Sequence, residues 1–470
     1  MKTGVVSHGF IVSQMRLDGN FHLSDGLIVR KIVKKAPYQI KNIEDVCSDI
    51  YCPGIFRRNY LKTGVPFLGG GDIQKQILDS GKYLRESTTP NYEILQIKKG
   101  WSLVTCGGTI GDTVFATNLH AKCWVSQHVM RVIPQNIKEG MLYAYLASKY
   151  GKLLLTTNTY GSVIPTLNAD SIGKLPIPIF PDSFQKEIDD LIQQSAALRE
   201  TASNEIEEAV KLLKTYTKLT DLTEEDYDYY GPHSYGRSTS CFVRKRKDID
   251  STTINAFNHS ERIRNTKNKI KCATAPLKNL LINNDTFSTG SFPRIEVREG
   301  HGIMLINQSD IFDARFNGKY ISKRNVNLNN LVEYGEVLIA GVGTLGEGET
   351  FCRTIFANED LTGQLVSGEF IRMKTTEEMP SGYLYTWLSS DYGFRLIRNL
   401  QTGTKLCRPI PRLVLEIPVP ILEKEQMVEI DKQVKEAHTK KYRANCLERK
   451  AILMVEQEIE KWNKQNKIED

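Results

Sequence analysis

Nine cysteines are scattered over 470 residues, and no two of them stand in a CxxC spacing. That gives no support to a zinc ribbon, and an odd, dispersed set gives none to a disulfide framework, so free thiols are expected. The eight histidines are equally dispersed and form no HExxH, so no metal site is expected. No run approaches the roughly eighteen apolar residues of a membrane span, so no membrane contact is expected. The opening MKTGVVSHGFIVSQMRLDG carries no continuous apolar segment or small-residue cleavage site, which makes the cytoplasm the expected location. No GxSxG, no paired carboxylates in a recognisable frame and no Asn-Pro-Pro-aromatic or Asp-Pro-Pro-Tyr is present, so no catalytic residue is expected. Charge of one sign is scarce as well: 62 Lys and Arg face 55 Asp and Glu, a surplus of 7. Such a surplus permits nucleic-acid binding without requiring it. What is there is an ordinary globular composition, 40% hydrophobic and 25% charged, in a chain long enough for about two to four domains.

The chain repeats itself with a period of about 240 residues, too long for a solenoid and suited to a duplicated domain. Pro66 to Ile73 and then Gly81-Lys82-Tyr83 are answered by Ile303 to Ile311 and then Gly318-Lys319-Tyr320. Gly100 followed by Gly108-Thr109-Ile110-Gly111 returns as Gly335 followed by Gly343-Thr344-Leu345-Gly346. Tyr150-Gly151 returns as Tyr392-Gly393, Pro176-Ile177-Pro178 as Pro418-Val419-Pro420, and Glu187-Ile188-Asp189 as Glu429-Ile430-Asp431. A looser echo joins Leu17-Asp18-Gly19-Asn20-Phe21-His22 to Ile254-Asn255-Ala256-Phe257-Asn258-His259.

Each copy starts with short runs of Val, Ile, Phe and Tyr punctuated by Gly, Asn and Pro, which read as strands and turns. Each ends in a long segment free of Gly and Pro, residues 182–219 and 422–465, with helical spacing. Ile188, Leu191, Leu198 and Leu212 in the first, and Ile430, Val434, Leu447 and Met454 in the second, fall close to a heptad seam through which the two helices can pair. At 1.5 Å per residue these helices would be on the order of 55 to 65 Å long and act as a spacer. The Pro-x-Pro before each forces extended backbone, a stiff strap between globule and helix. The expected organisation is therefore α/β mixed: globules over 1–181 and 254–421, helices over 182–219 and 422–465, and a partly mobile linker over 220–253. That linker holds an acidic run (Glu224, Glu225, Asp226, Asp228) and the tetrad Arg244-Lys245-Arg246-Lys247, either a solvated loop or a phosphate contact.

The turns at 106–111 and 341–346 are rich enough in glycine to invite a phosphate cradle, but no Lys-Ser/Thr follows and the next residues are β-like, so a tight turn between strands is expected. Taken together, the repeat, the Gly-Thr-Ile/Leu-Gly turns, the Tyr160-Gly161-Ser162 and Thr402-Gly403-Thr404 segments ahead of Pro-x-Pro, and the two long helices resemble the specificity (S) subunits of type I restriction-modification systems. The resemblance covers nearly the whole chain. It implies two target-recognition globules joined by two antiparallel coiled-coil helices, with pseudo-two-fold internal symmetry. It further implies a non-catalytic subunit that reads a bipartite, asymmetric site on double-stranded DNA. Its partners would be methyltransferase (M) subunits, a pair of them, and restriction (R) subunits. S-adenosylmethionine and ATP with Mg would belong to those partners, and no cofactor to this chain. This sequence departs from the usual pattern in its long inter-repeat linker and in the poor second copy of Leu-Asp-Gly-Asn-Phe-His.

Two readers held by a rigid spacer would meet one face of a duplex about 34 Å apart. Candidate base readers and phosphate anchors in the first half are Arg57, Arg58, Lys62, Gln74 and Lys75, with Gln127 and His128 open to either base reading or a place in the sheet. In the second half, Arg294, Arg298, Asn307, Gln308, Arg315 and Lys319 occupy comparable places. Tyr160 and Ser162, and Thr404, Lys405 and Arg408, lie in polar loops upstream of the straps, a zone that the resemblance puts near DNA. A structural adaptor built on a coiled coil, binding proteins and not DNA, and a stand-alone DNA-modifying enzyme remain the alternative readings.

Overall fold

The computed structural model describes residues 5–14, 17, 19–157, 166–227, 241–249, 252–346 and 348–469. The chain divides into a first unit, Met1–Glu200 with Arg443–Asp470, and a second, Thr201–Tyr442.

In the first unit, α1 (His8–Gln14), α2 (Gly19–His22) and α3 (Asp25–Lys34) precede the strands. These are β1 (Ile40–Asn42), β2 (Cys47–Tyr51), β3 (Val65–Leu68), β4 (Tyr83–Leu84), β5 (Ser102–Thr105), β6 (Thr113–Phe115), β7 (Trp124–Val125), β8 (Val129–Pro134) and β9 (Pro176–Pro178). They form sheets of order β2-β8-β5-β6, β4-β3-β7 and β1-β9. All four residues of β5 are buried, as a strand covered on both faces requires. The pair β3–β7 is parallel and the other pairs are antiparallel. Helices α4 (Glu139–Ala147), α5 (Lys149–Thr157) and α6 (Ala169–Gly173) follow the strand β8. In α4 every residue from Gly140 to Leu146 is buried, so it is a core helix without a polar face. The strap expected at Pro176 is β9, whose prolines lie on a two-stranded edge where a missing N–H costs least.

The second unit contains several comparable pairings in a comparable chain order. After α7 (Asp182–Thr217), α8 (Glu224–Tyr227) and α9 (Glu261–Lys269) come β10 (Thr274–Pro276), β11 (Ile303–Ile306), β12 (Lys319–Ile321), β13 (Val337–Ala340), β14 (Thr354–Phe356), β15 (Leu365–Val366) and β16 (Phe370–Met373). Then follow α10 (Ser381–Ser389), α11 (Asp391–Arg398), β17 (Gln401–Thr402), β18 (Arg408–Pro409), α12 (Pro411–Val414), β19 (Pro418–Pro420) and α13 (Lys424–Glu469). Sheets β14-β13-β16, β12-β11-β15 and β10-β19 resemble β6-β5-β8, β4-β3-β7 and β1-β9, and β11–β15 is again parallel; among the described residues no strand pairs with β16 as β2 pairs with β8, and β17-β18 form a further two-stranded sheet.

Each unit includes a stretch of both long helices. In the first, Ser195 Oγ donates to the Ala444 carbonyl (2.8 Å), and Arg199 reaches Asn445 Oδ1 (2.6 Å) and Glu448 Oε2 (2.5 Å). The Phe180 ring, just before α7, lies against Trp462. In the second, Tyr216 donates to Glu429 (2.6 Å), Gln433 donates to the Glu205 carbonyl (3.0 Å), and Lys440 pairs with Glu205. The widely spaced partners, Phe180 with Trp462 and Ser195 with Ala444 in the first unit and Glu205 with Lys440 and Tyr216 with Glu429 in the second, climb along one segment as they descend the other, so in each unit the helices pack antiparallel. Ile188, Leu191, Ile430 and Val434 are buried on this seam. Leu198, Leu212, Leu447 and Met454 are only half-buried; in α13 the adjacent Glu448 and Val455 take the buried line.

The repeated Glu-Ile-Asp has a physical role. Asp189 Oδ1 accepts the Gly140 N–H (2.7 Å) and Asp431 Oδ1 accepts the Gly382 N–H (2.7 Å). Each aspartate thus caps the N-terminus of a core helix, α4 or α10. A side chain at either glycine would collide with the aspartate's own helix, at 2.8 Å from Asp189 Cα and 2.8 Å from Asp431 Oδ1. The first long helix ends at Thr217 because Lys218 takes a left-handed φ of 56°. Residues 220–227, expected as the start of a linker, are tied to the second unit. The Thr220 carbonyl accepts from Tyr392, the Leu222 N–H donates to Asp391, and buried Asp226 holds Lys269 (2.5 Å).

Candidate nucleic-acid interface

The turn at 106–111 joins β5 to β6, and Gly108 and Gly111 have φ of +83° and +86°, so glycine is needed for the turn itself. Thr105 ties it internally: its hydroxyl donates to the Thr109 carbonyl and its carbonyl accepts the Gly111 N–H. The turn also meets its neighbours. Cys106 N–H donates to the His128 carbonyl (2.9 Å), in the turn between β7 and β8, and Leu167 N–H donates to the Cys106 carbonyl. A side chain at Gly70, in the loop after β3, would touch Thr105, Gly107 and His128. Three loops from three strand ends are thereby gathered in one place.

Of the candidates in this unit, the structure joins Arg58, Gln127 and His128. Arg58 Nη2 donates to Gln127 Oε1 (2.5 Å), and the Gln127 amide nitrogen lies 3.3 Å from His128 Nε2. The Arg58 guanidinium also sits over the Phe67 ring at 5.4 Å. His128 is exposed and Gln127 and Arg58 half-exposed, so Gln127 and His128 are in a turn rather than within a strand. Arg57 and Lys62 are exposed on the segment before β3, and Gln74 and Lys75 are half-buried in the loop after it. Tyr160 and Ser162 lie outside the described residues.

Beneath this turn lies a residue that the sequence reading missed. Arg131, in β8, is 0% exposed, and its guanidinium donates to the carbonyls of Ser126 (2.9 Å), Val129 (2.7 Å), Leu95 (3.3 Å) and Val125 (2.5 Å). Burial lowers its pKa to about 10. It fixes the backbone that displays Gln127 and His128. His120 is buried on the same sheet system: its Nδ1 accepts the Thr117 N–H, and its Nε2 contacts the Ile73 carbonyl at 2.9 Å. Burial pushes it down to about 4, so it is neutral and structural.

In the second unit the turn at 341–346 has the same place, between β13 and β14, and gathers a comparable set. Gln308 is 8% exposed; its amide nitrogen donates to the Val342 carbonyl and its amide oxygen accepts the Val342 N–H (3.1 Å). Both ends of this amide are engaged with backbone, so Gln308 acts as a clasp on the turn and presents no free edge for a base. Gly343 pairs with Cys407 through both N–H groups, which joins the turn to the hairpin of β17 and β18. At the hairpin's tip Thr404 and Lys405 are exposed, and Arg408 is exposed on β18. Two further residues not singled out from the sequence hold this assembly. Arg398 donates to the Leu345 and Gly346 carbonyls, and Asn258 donates to the Asn399 (2.7 Å) and Gln401 (2.9 Å) carbonyls. Asn258 lies in the loose Ala-Phe-Asn-His echo, which was the available signal.

The remaining candidates are more dispersed. Asn307 contacts Asp310 (3.2 Å), Lys319 pairs with Glu296 (2.5 Å) on the surface, and Arg294 and Arg298 are exposed ahead of β11. Arg315 is half-buried. In the basic tetrad, Arg244 pairs with Glu261 (2.7 Å), whereas Arg246 and Lys247 are exposed. Among the described residues no helix is long and apolar enough to cross a membrane, and no group of three or more His, Cys, Asp or Glu could hold a metal ion.

Residues 36–212 match the family model described as type I restriction modification DNA specificity domain. Over that stretch the resemblance read from the sequence is borne out. Among solved structures the chain is similar to the S subunit of a type I restriction-modification system from M. genitalium, at 12% identity, 90% of this chain, 96% of that chain and a TM-score of 0.32. It is also similar to the HsdS subunit from Thermoanaerobacter tengcongensis, at 12% identity, 91% and 98% coverage and a TM-score of 0.27. A third similar chain comes from a structure on complex assembly and conformational transition of the type I R-M system, at 14% identity, 90% and 98% coverage and a TM-score of 0.28. No curated protein matches the chain.

Proposed function

We propose that this chain is the specificity subunit of a type I restriction-modification complex and that its two units are repeats of one design, each reading one part of a bipartite DNA site. The observation that carries the reading is the recurrence, in the unit beyond the family match, of the turn assembly found within it. In both units a glycine-rich turn leaving the central strand is clasped to neighbouring loops, by backbone hydrogen bonds in the first and by the buried side chains of Gln308 and Arg398 as well in the second, and exposed polar groups surround it. Arg58, Gln127 and His128 would read bases in the first unit, with Arg57, Lys62, Gln74 and Lys75 as base or phosphate contacts. In the second, Thr404, Lys405 and Arg408 would anchor phosphate, with Arg294, Arg298, Asn307, Arg315 and Lys319 along the same duplex. Gln308 would act through the turn it holds.

Methyl transfer and cleavage would belong to partner M and R subunits, which would bring S-adenosylmethionine and ATP with Mg. The test is a gel shift of the chain with purified M subunit on random duplex, followed by sequencing of methylated positions in cells with and without this chain. Salt-sensitive binding and a two-part methylated motif that disappears with the chain are expected. Absence of any salt-sensitive shift would favour a protein-binding adaptor, and methyl transfer by the chain alone would favour an enzyme.

A further inference from the structure

Two strands that flank β8, namely β2 and β5, release their chains at the same end of the sheet, with cysteines as the first residues out. Cys52 follows β2 and Cys106 follows β5, and their sulfur atoms lie 3.3 Å apart. Met130 of β8 lies between them, its sulfur 3.7 Å from Cys52. Cys106 opens the glycine-rich turn, and its sulfur is 3.7 Å from the Gln127 carbonyl. Cys106 is 6% exposed and Cys52 half-buried, so a molecule as small as a peroxide can approach from the Cys52 side.

We propose that Cys52 and Cys106 form a two-thiol oxidation site, in which hydrogen peroxide converts the pair to a disulfide that ties the exit of β2 to the turn at 106–111. The Cys106 thiolate attacks one peroxide oxygen; the O–O bond breaks, Cys106 becomes a sulfenic acid, and the departing hydroxide takes up a proton as water. The Cys52 thiolate then attacks the Cys106 sulfur, the S–O bond breaks, and the leaving hydroxide is protonated to a second water. The two thiols lose two electrons and two protons, and one peroxide becomes two waters. The order of attack follows from the pair itself, because the hydrogen bond from Cys52 holds the Cys106 thiol below its ordinary value and leaves Cys52 raised. Cys47 and Cys123 are pushed up to about 12 by burial and are poor competitors.

A disulfide requires sulfur atoms about 2.0 Å apart, so closing the bond draws Cys106 toward β2 and strains its hydrogen bonds to His128 and Leu167. Resting on the DNA-reading role proposed above, this displacement of Gln127 and His128 should weaken specific duplex binding by about tenfold, the equivalent of one base contact.

The experiment uses the full chain with M subunit. Samples are treated with graded hydrogen peroxide, alkylated, digested and mapped by mass, with duplex affinity measured before and after and again after dithiothreitol. A Cys52–Cys106 cross-linked peptide that dithiothreitol removes, formed before the other cysteines are oxidised, is the expected result. Cys52→Ser should give no cross-link and a dimedone adduct at Cys106. Cysteines 52 and 106 that stay alkylatable as long as the others, with no adduct in Cys52→Ser, would overturn the proposal. A cross-link with unchanged affinity, in a chain that binds duplex when reduced, would overturn the control of binding. No duplex binding by the reduced chain would refute the DNA-reading role, and the peptide map would still decide the chemistry.

Discussion

The two units bury an arginine at the same point of the same sheet and neutralise it differently. Arg131 stands opposite Leu103 of β5, and Arg372 opposite Leu338 of β13. Arg372 is 1% exposed and forms a two-pronged ion pair with Glu336, at 2.9 and 3.0 Å, with Thr289 and the carbonyls of Asn330 and Leu331 completing its shell. Glu336 follows Gly335, and the residue following the equivalent Gly100 is Trp101, which packs on the apolar core. Arg131 therefore has no carboxylate among its described partners, and its charge is met by carbonyl dipoles alone. A buried charge must be compensated, but the compensation need not be ionic. Where it is ionic, the arginine belongs to the core. Where it is made of carbonyls, the arginine also becomes the template of a turn, here the one carrying Gln127 and His128.

The largest expected effect tests the ionic case. Arg372→Met leaves Glu336 buried without its counter-ion, held only by the Glu333 N–H, and should cost about 3–5 kcal/mol in urea unfolding. The double replacement of Arg372 and Glu336 by Met should recover most of that, and no recovery would show that the pair is not the source. Arg131→Met leaves no ion behind and should cost less, about 1–3 kcal/mol, while lowering specific DNA binding through the β7–β8 turn.

Each unit also buries a histidine whose pKa burial lowers. Below about pH 6.5 the unfolded chain takes up a proton that His120, held near 4, refuses. Stability is therefore complete above about pH 6.5 and declines as pH falls to about 4, by about 3 kcal/mol in all. His120→Gln should remove this pH dependence of the first unit. His438 is also held well below the ordinary value by burial, and its Nε2 has no hydrogen-bond partner among the described residues, so a loss of stability in the same direction, as pH falls below about 6.5, is expected in the second.

Smaller effects test the contacts. Gln127→Ala should cost about 1–3 kcal/mol and relax one position of the first half-site, if it makes a bidentate base contact. Gln308→Ala should instead weaken the whole second half-site by loosening the 341–346 turn, and relaxation at a single base pair would restore it to the readers. Lys405→Ala should leave the recognised sequence unchanged and lower the salt slope by about one.

The features legible from sequence were those set by local backbone. Runs of glycine marked both turns, at positive φ in the first (Gly108 and Gly111), Pro-x-Pro marked both straps, and the absence of Gly and Pro marked both long helices. The helix ends were less legible: Lys218 stops α7 two residues before the expected end, while α13 continues to Glu469 because nothing in its sequence halts it. The roles of Gln308 and Arg131 were hidden, because the surface polarity of one and the charge of the other give no sign of burial. Only the pairing of strands reveals that Arg131 and Arg372 stand at corresponding points of the two sheets.

The aspartate–glycine caps lie at the opposite end of the central strand from the glycine-rich turns. Gly100 and Gly335, just before β5 and β13, face Glu139 and Ser381 beside the caps, whereas the turns follow the last residue of each strand. Substitutions in the turns can therefore accumulate without disturbing the mounting of the core helices. Such a molecule can be re-edged at one end while its bearing at the other stays the same.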